Sequence, residues 1–280
     1  MQELIIKPQL CGLGDHLFFT PIPRIAKKFG YQKVFISTEA VFRKPIYRHY
    51  IWECNPYVDG FKAAPATFNV QCQTGYHEPF ITKGNVIDRI LKEHGLDDKQ
   101  LWHKPEVYFE TKSYEQFKNA AILDPCFLSL NNIDLGRYKE KIGKWLQKNR
   151  VKIDYQIITG LANNLYLQGI GERLECNDFI EYCSIVKSCR NFFCLYSGSL
   201  VLAEALDKHP TVLYCGLHRR RTLSFQLKRF KNLGRGFLKN RGISMLADKL
   251  AKGINSEIYE EILRHKTNPR IFLESNFIKL

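Results

Sequence analysis

The sequence predicts an α/β protein of two doubly wound halves, each built on a parallel sheet. Three observations predict it. Short apolar runs alternate with amphipathic stretches along most of the 280 residues, which is the pattern of linked β-α-β units. The alternation starts afresh after a polar stretch (Glu110, Lys112, Ser113, Glu115, Lys118, Asn119), placing a boundary between a half at 1–117 and a half at 118–280. A chain of this length also needs no disulfide or metal to hold a core, because roughly three quarters of the unfolded surface is buried at this size.

The elements follow in order. Leu4-Ile5-Ile6 reads as a strand, Cys11-Gly12-Leu13-Gly14-Asp15-His16 as a glycine turn, and 17–29 as a helix carrying Leu17, Phe18, Ile22, Ile25, Ala26 and Phe29. Gly30 closes that helix, and 33–37 is the next strand, so the first unit is β-α-β with parallel strands. Asn55-Pro56-Tyr57-Val58-Asp59-Gly60 is turn chemistry before another short strand. Residues 61–80 look irregular, 85–94 is an amphipathic helix ending at Gly95, and Lys104-Pro105-Glu106-Val107-Tyr108-Phe109 is extended. In the second half, strands are expected at 121–123, 155–160, 191–195 and 211–214. Helices are expected at 135–149, at 178–188 behind an Asn177 cap, from Ser197-Gly198-Ser199 to about Asp207, and at 243–265.

Charge is concentrated. The chain has 42 Lys or Arg against 28 Asp or Glu, a net +14, and the segment from Lys208 to Ala247 holds ten of those cations and no acid. Phe225, Leu227, Phe230, Leu233 and Phe237 interleave with Arg219, Arg220, Arg221, Lys228, Arg229, Lys231, Arg235, Lys239 and Arg241. Such a stripe suits an anionic bilayer surface or nucleic acid, and it also fits a plain solvated face. No DNA- or RNA-binding motif accompanies it. Nine cysteines form no Cys-x-x-Cys. Cys183, Cys189 and Cys194 read as core thiols of a reduced, cytoplasmic protein. His16, His77, His94 and His218 are scattered, so no metal set is expected. The start, Met1 to Pro8, lacks a basic region followed by an apolar core, and no secretory signal is expected there.

Two turns can carry chemistry. Gly12-Leu13-Gly14-Asp15 sits between a strand and a helix, where backbone amides face the crevice at the strand's carboxyl end. It is neither Gly-x-Gly-x-x-Gly nor a Walker loop. A carboxylate repels phosphate, so Asp15 suits proton acceptance, with helix capping as the alternative. Tyr196-Ser197-Gly198-Ser199 opens a helix after a buried strand and offers free amides to a diphosphate, again with capping as the alternative. Thr159-Gly160 closes a neighbouring strand and can line the same crevice.

These segments together resemble the family 9, heptosyltransferase-like glycosyltransferases. Gly12-Leu13-Gly14-Asp15-His16-Leu17-Phe18-Phe19-Thr20-Pro21 with Arg24 is similar to that family's opening. Asn55-Pro56-Tyr57-Val58-Asp59, Lys104-Pro105-Glu106-Val107-Tyr108, and Ser197-Gly198-Ser199 through Thr211-Val212-Leu213-Tyr214 match three further segments in order. The resemblance implies the GT-B plan, two Rossmann-like domains facing across a cleft. It implies that Asp15 is the general base of an inverting, metal-independent transfer of heptose or another sugar from a nucleotide-diphosphate sugar, with no cofactor. It places Gly12, Gly14, His16, Thr20 and Arg24 on the acceptor side, and Thr159, Gly160, Ser197, Gly198 and Ser199 on the donor side. Arg219 and Arg220 would add positive charge there. The implied partners are a nucleotide sugar, a bacterial surface glycan or glycolipid such as lipopolysaccharide or capsule, and the anionic inner face of the cytoplasmic membrane. Nucleic acid is not an expected partner. Tyr196 and Val201 stand where the family usually has Asp and His, and 125–130 lacks its usual basic residue. A sugar- or nucleotide-binding relative without turnover is the second reading, and a nucleic-acid-binding protein the third.

Overall fold

The computed structural model describes residues 2–8, 10–70, 84–126, 135–159, 166–195, 197–214 and 276–279. Residues 1–214 cluster into one compact unit that holds both halves of the alternation. The basic stripe and the helix expected at 243–265 lie outside the described residues.

The first sheet has the order β3-β2-β1-β4, with β1 Glu3–Pro8, β2 Lys33–Ser37, β3 Phe61–Lys62 and β4 Phe68–Val70. All neighbours are parallel, and Ile6 of β1 pairs with Ile36 of β2. Leu4, Ile5 and Ile6 are all buried, as a central parallel strand requires. The stretch expected to be irregular at 61–80 therefore contains two strands. Each is only two or three residues long, too short for an alternation to show.

Two helices, α1 Leu13–Leu17 and α2 Ile22–Lys28, replace the single helix expected at 17–29. Proline explains the break. Pro21 has no N–H to continue a helix, while Pro23 falls in the first turn of α2, where its fixed φ is suited to a start. Gly12 is the N-cap of α1, so Gly14 and Asp15 lie inside it. Next come α3 Pro45–Tyr47, a π-helical turn Arg48–Glu53 that buries Ile51 and Trp52, and α4 Val86–Glu93. Asn85 caps α4 by accepting the Ile87 and Asp88 N–H groups, and Gly95 at φ 71° ends it.

Three of the quoted segments meet in one structural hub. Thr20 donates to the Leu17 carbonyl and accepts the Glu106 N–H, both at 2.8 Å. Arg24 grips the Glu106 carboxylate at 2.6 and 2.9 Å. Asn55 reaches the Thr20 carbonyl at 3.3 Å. Asp59 takes bonds from Lys27, Lys33 and the Val34 N–H. Burial works to raise the Asp59 carboxyl, but those bonds outweigh it and hold the group well below the usual carboxylate range.

The second sheet has the order β10-β9-β8-β5-β6-β7. Its strands are β5 Ala121–Asp124, β6 Tyr155–Thr159, β7 Glu172–Cys176, β8 Asn191–Leu195, β9 Thr211–Tyr214 and β10 Asn276–Lys279. The pairs from β9 through β7 are parallel. Strand β7, Glu-Arg-Leu-Glu-Cys, was not expected. It is mostly solvent-facing, and pairing with β6 overrides its polar composition. Helices α5 Leu135–Lys148, α6 Phe179–Ser188 and α7 Gly198–Ala205 complete this half. Asp178, not Asn177, caps α6 by accepting the Glu181 N–H at 2.8 Å.

Two features join the halves. Phe179 of α6 is buried, with ring centroids 5.5–5.8 Å from Tyr47, Tyr50 and Phe109. The connecting segment is fastened to the same helix, as the Lys112 and Tyr114 N–H groups donate to the hydroxyls of Ser184 and Ser188 at 3.0 and 2.9 Å. Among the described residues no helix is long and apolar enough to cross a membrane.

Candidate active site

Beyond the end of β1 the chain enters α1 through Gly12. Asp15 occupies the third helical position, and its carboxylate bends back to accept the Gly12 N–H at 3.1 Å. A Cβ on Gly12 would lie 2.6 Å from that carboxylate oxygen, so a larger residue there would displace the carboxylate. Asp15 is half-buried. Burial pushes its carboxyl above the ordinary value, while the Gly12 N–H and the charge of Arg43 draw it back in part. One side chain thus caps the helix and carries a carboxyl that burial raises.

The second glycine turn lies against the first. Ser197 caps α7 and accepts the Ser199 N–H at 3.3 Å. A Cβ on Gly198 would come within 2.9 Å of the Gly14 backbone nitrogen, and one on Gly14 within 3.1 Å of the Gly198 Cα. The helices therefore touch backbone to backbone, with Val201 also facing Gly14. Two helix starts, each carrying the positive end of a helix dipole, thus meet at Gly14 and Gly198.

Behind α7 is a buried polar cluster. Asp124, the last residue of β5, accepts bonds from the Tyr182 and Ser199 hydroxyls at 2.5 Å each and from the Cys126 N–H at 2.8 Å. Thr159, buried at the end of β6, hydrogen-bonds Cys126. Burial, and then Asp124, push the Cys126 thiol far up, so it is no nucleophile. The cluster brings Thr159 and Ser199 into one neighbourhood, at the ends of the two strands that flank β5.

Three residues expected on the acceptor side have other work. His16 is fully buried, its ring stacked on Phe42 at 4.6 Å, so it cannot meet a substrate. Thr20 is equally buried and its hydroxyl is used within the hub. Arg24 is paired with Glu106 and lines a groove of about 520 Å³ with Trp102, Lys104, Tyr108 and Asp207, to which Asp15 does not contribute. Gly160, Arg219 and Arg220 lie outside the described residues. Two residues escaped the sequence reading. Asp124 had a signal, an acid closing the apolar run Ala121-Ile122-Leu123. Arg43 had none, standing in an irregular segment far along the chain from Asp15. Among the described residues no group of three or more His, Cys, Asp or Glu could hold a metal ion.

No protein-family model matches the chain, and no curated protein sequence matches it. Solved structures do. The bacterial iron-containing dodecameric glycosyltransferase TibC from enterotoxigenic E. coli superposes with a TM-score of 0.50 at 13% identity, over 76% of this chain and 57% of that one. The chain shares the GT-B-like fold of a glycosyltransferase. A glycosyl transferase family 9 protein from Veillonella parvula gives a TM-score of 0.46 at 11% identity over 77% of this chain and 81% of that one. The E. coli ADP-heptose lipopolysaccharide heptosyltransferase II gives 0.45 at 12% over 77% and 85%. This chain spans a little over half the length of TibC. At these identities the likeness is one of fold, and chemistry has to be argued from the residues.

Proposed function

We propose that this GT-B-like protein is an inverting glycosyltransferase. Asp15 takes the proton from an acceptor hydroxyl as its oxygen attacks the anomeric carbon of a nucleotide-diphosphate sugar. The carbon–oxygen bond to the diphosphate breaks as the new glycosidic bond forms on the opposite face. One observation carries this reading: a half-buried carboxylate, raised by burial, stands in the first turn of α1 beyond β1, and the neighbouring Gly14 backbone meets the glycine-opened start of α7. A base in that state accepts a proton near neutral pH better than an exposed carboxylate does. The free end of α7 at Ser197, Gly198 and Ser199 would stabilise charge on the leaving diphosphate, with Thr159 close by. No metal is assigned a part. Heptose or another sugar as donor, a bacterial surface glycan or glycolipid as acceptor, and residence at the inner face of the cytoplasmic membrane belong to the same proposal. The basic stripe containing Arg219 and Arg220 would supply the contact with anionic lipid and donor.

Two observations favour a second reading, binding without turnover. Val201 packs where the resembling family has His, and the Asp124 carboxylate beside Ser199 disfavours a phosphate there. A panel of nucleotide sugars separates the readings. A bound donor at a hundredfold excess over its Kd stabilises by about 2.7 kcal/mol, which a melting curve resolves. Transfer or hydrolysis of the stabilising donor supports the enzyme; stabilisation without either supports the binding protein.

A further inference from the structure

The segment after β2 is seated on the glycine turn by three contacts, none of which the motif itself discloses. The ring of His16 stacks on Phe42, His16 Nε2 bonds the Val41 carbonyl at 3.0 Å, and the Arg43 backbone N–H donates to the Cys11 carbonyl at 2.9 Å. The outcome is an exposed arginine tied, through its own backbone, to the residue before Gly12. We propose that Arg43 is a positioning residue for Asp15, a guanidinium held at the glycine turn so that the carboxylate stays ionised and ready to accept a proton. This rests on the reading of Asp15 as the base.

Among charged side chains the surroundings leave that task to Arg43, beside the Gly12 N–H. Burial works against the ionised form of Asp15, and the Gly12 N–H and Arg43 work for it. Among the described residues Arg43 is the charged side chain that bears on Asp15. His16, next to it on α1, is held neutral by burial, and its ring nitrogens face Val41 and Trp52. Tyr47, on the same segment as Arg43, is pushed up to about 12 by burial and is neutral too. Ser197 and Ser199 on α7 carry no charge. Arg43 also explains why a buried histidine belongs in this turn: His16 builds the seat on which the arginine stands.

The test is a carboxyl-carbon NMR titration of Asp15 in the full chain, with the signal assigned through Asp15→Asn. Arg43→Gln is expected to raise the Asp15 midpoint by about half a pH unit or more. Arg43→Lys is expected to restore most of it. Arg48→Gln, an exposed arginine paired with Glu53, is expected to leave it in place. The acid limb of sugar transfer should move upward with the Arg43→Gln titration. A folded Arg43→Gln protein with an unmoved Asp15 midpoint overturns the inference, as does an equal shift in Arg48→Gln. The titration needs no turnover. An unmoved midpoint in an enzyme that Asp15→Asn inactivates overturns this inference alone. A moved midpoint without transferase activity overturns the proposed function and supports the Arg43–Asp15 pairing.

Discussion

Trp52 donates its indole N–H to Nδ1 of His16 at 3.1 Å, which leaves the Nε2–H to bond the Val41 carbonyl. The ring is therefore neutral, and burial lowers its pKa to about 4. The unfolded chain takes up that proton near 6.5, so the stability His16 contributes is intact above about 6.5 and is lost as pH falls toward 4. The loss should reach about 3 kcal/mol on the linkage arithmetic. Urea unfolding at pH 7 and pH 4.5, wild type against His16→Gln, checks it: the variant should be less stable at pH 7 but lose less on acidification. Asp15 predicts a pH effect on rate instead of on stability. If Asp15 is the base proposed above, its raised carboxyl puts the acid limb of transfer above the value of an ordinary aspartate. At this scale the sequence disclosed, through its two glycines, that Asp15 stands at a helix start beyond β1. It misassigned His16, because adjacency in a motif does not reveal which way a side chain points.

Helix ends decide what the elements can do. The contact of α1 with α7 depends on two glycines, and its cost is testable. Gly198→Ala pushes a methyl toward the Gly14 backbone and should destabilise by about 1–3 kcal/mol, the usual range for overpacking. Gly143→Ala inside α5 has nothing within 4 Å of the new Cβ and should stabilise by about 0.5–1 kcal/mol through helix propensity. Thermal melts of the two variants should thus move in opposite directions. A second lock holds the loop after α4. Asp88 accepts the Asn85, Trp102 and His103 N–H groups, and the His103 ring lies between Asp88 at 2.5 Å and Asp98 at 3.3 Å. Burial lowers the His103 pKa, but the bonds to Asp88 and Asp98 outweigh it, and the net direction is up. Asp88 is drawn down, its bonds outweighing burial. The lock is therefore complete between about 4 and 6.5; it weakens above that as His103 loses its proton and below it as Asp88 gains one. The protection factors of the Trp102 and His103 amides, exchange rates divided into the intrinsic rate at each pH, should be highest in that window, and in His103→Ala they should lose their fall above it. Periodicity disclosed most helices and central strands. It could not disclose β7, whose residues face solvent, nor the break at Pro21, where apolar spacing runs straight across a turn.

At the scale of the whole molecule, the two sheets belong to one compact unit, and Phe179 is a principal reason. Its ring fills the space among Tyr47, Tyr50 and Phe109, so Phe179→Ala should cost about 3–5 kcal/mol. Loss of near-ultraviolet circular dichroism at a lower urea concentration checks it. The repeated α/β plan was legible because each half buries its own parallel sheet. The way the halves join was not, since the contact pairs residues more than 65 positions apart with no local pattern. Most of the quoted segments also turn out to serve architecture: Thr20, Arg24, Asn55, Asp59 and Glu106 hold the first half together. They identify a fold, and the proposed chemistry falls to Asp15. The most direct measurement is sugar transfer by Asp15→Asn against wild type, with the nucleotide sugar that most stabilises the protein as donor. The variant should keep its melting temperature and donor binding while turnover drops by at least about 10²-fold. A folded Asp15→Asn protein that transfers sugar at the wild-type rate would contradict the account.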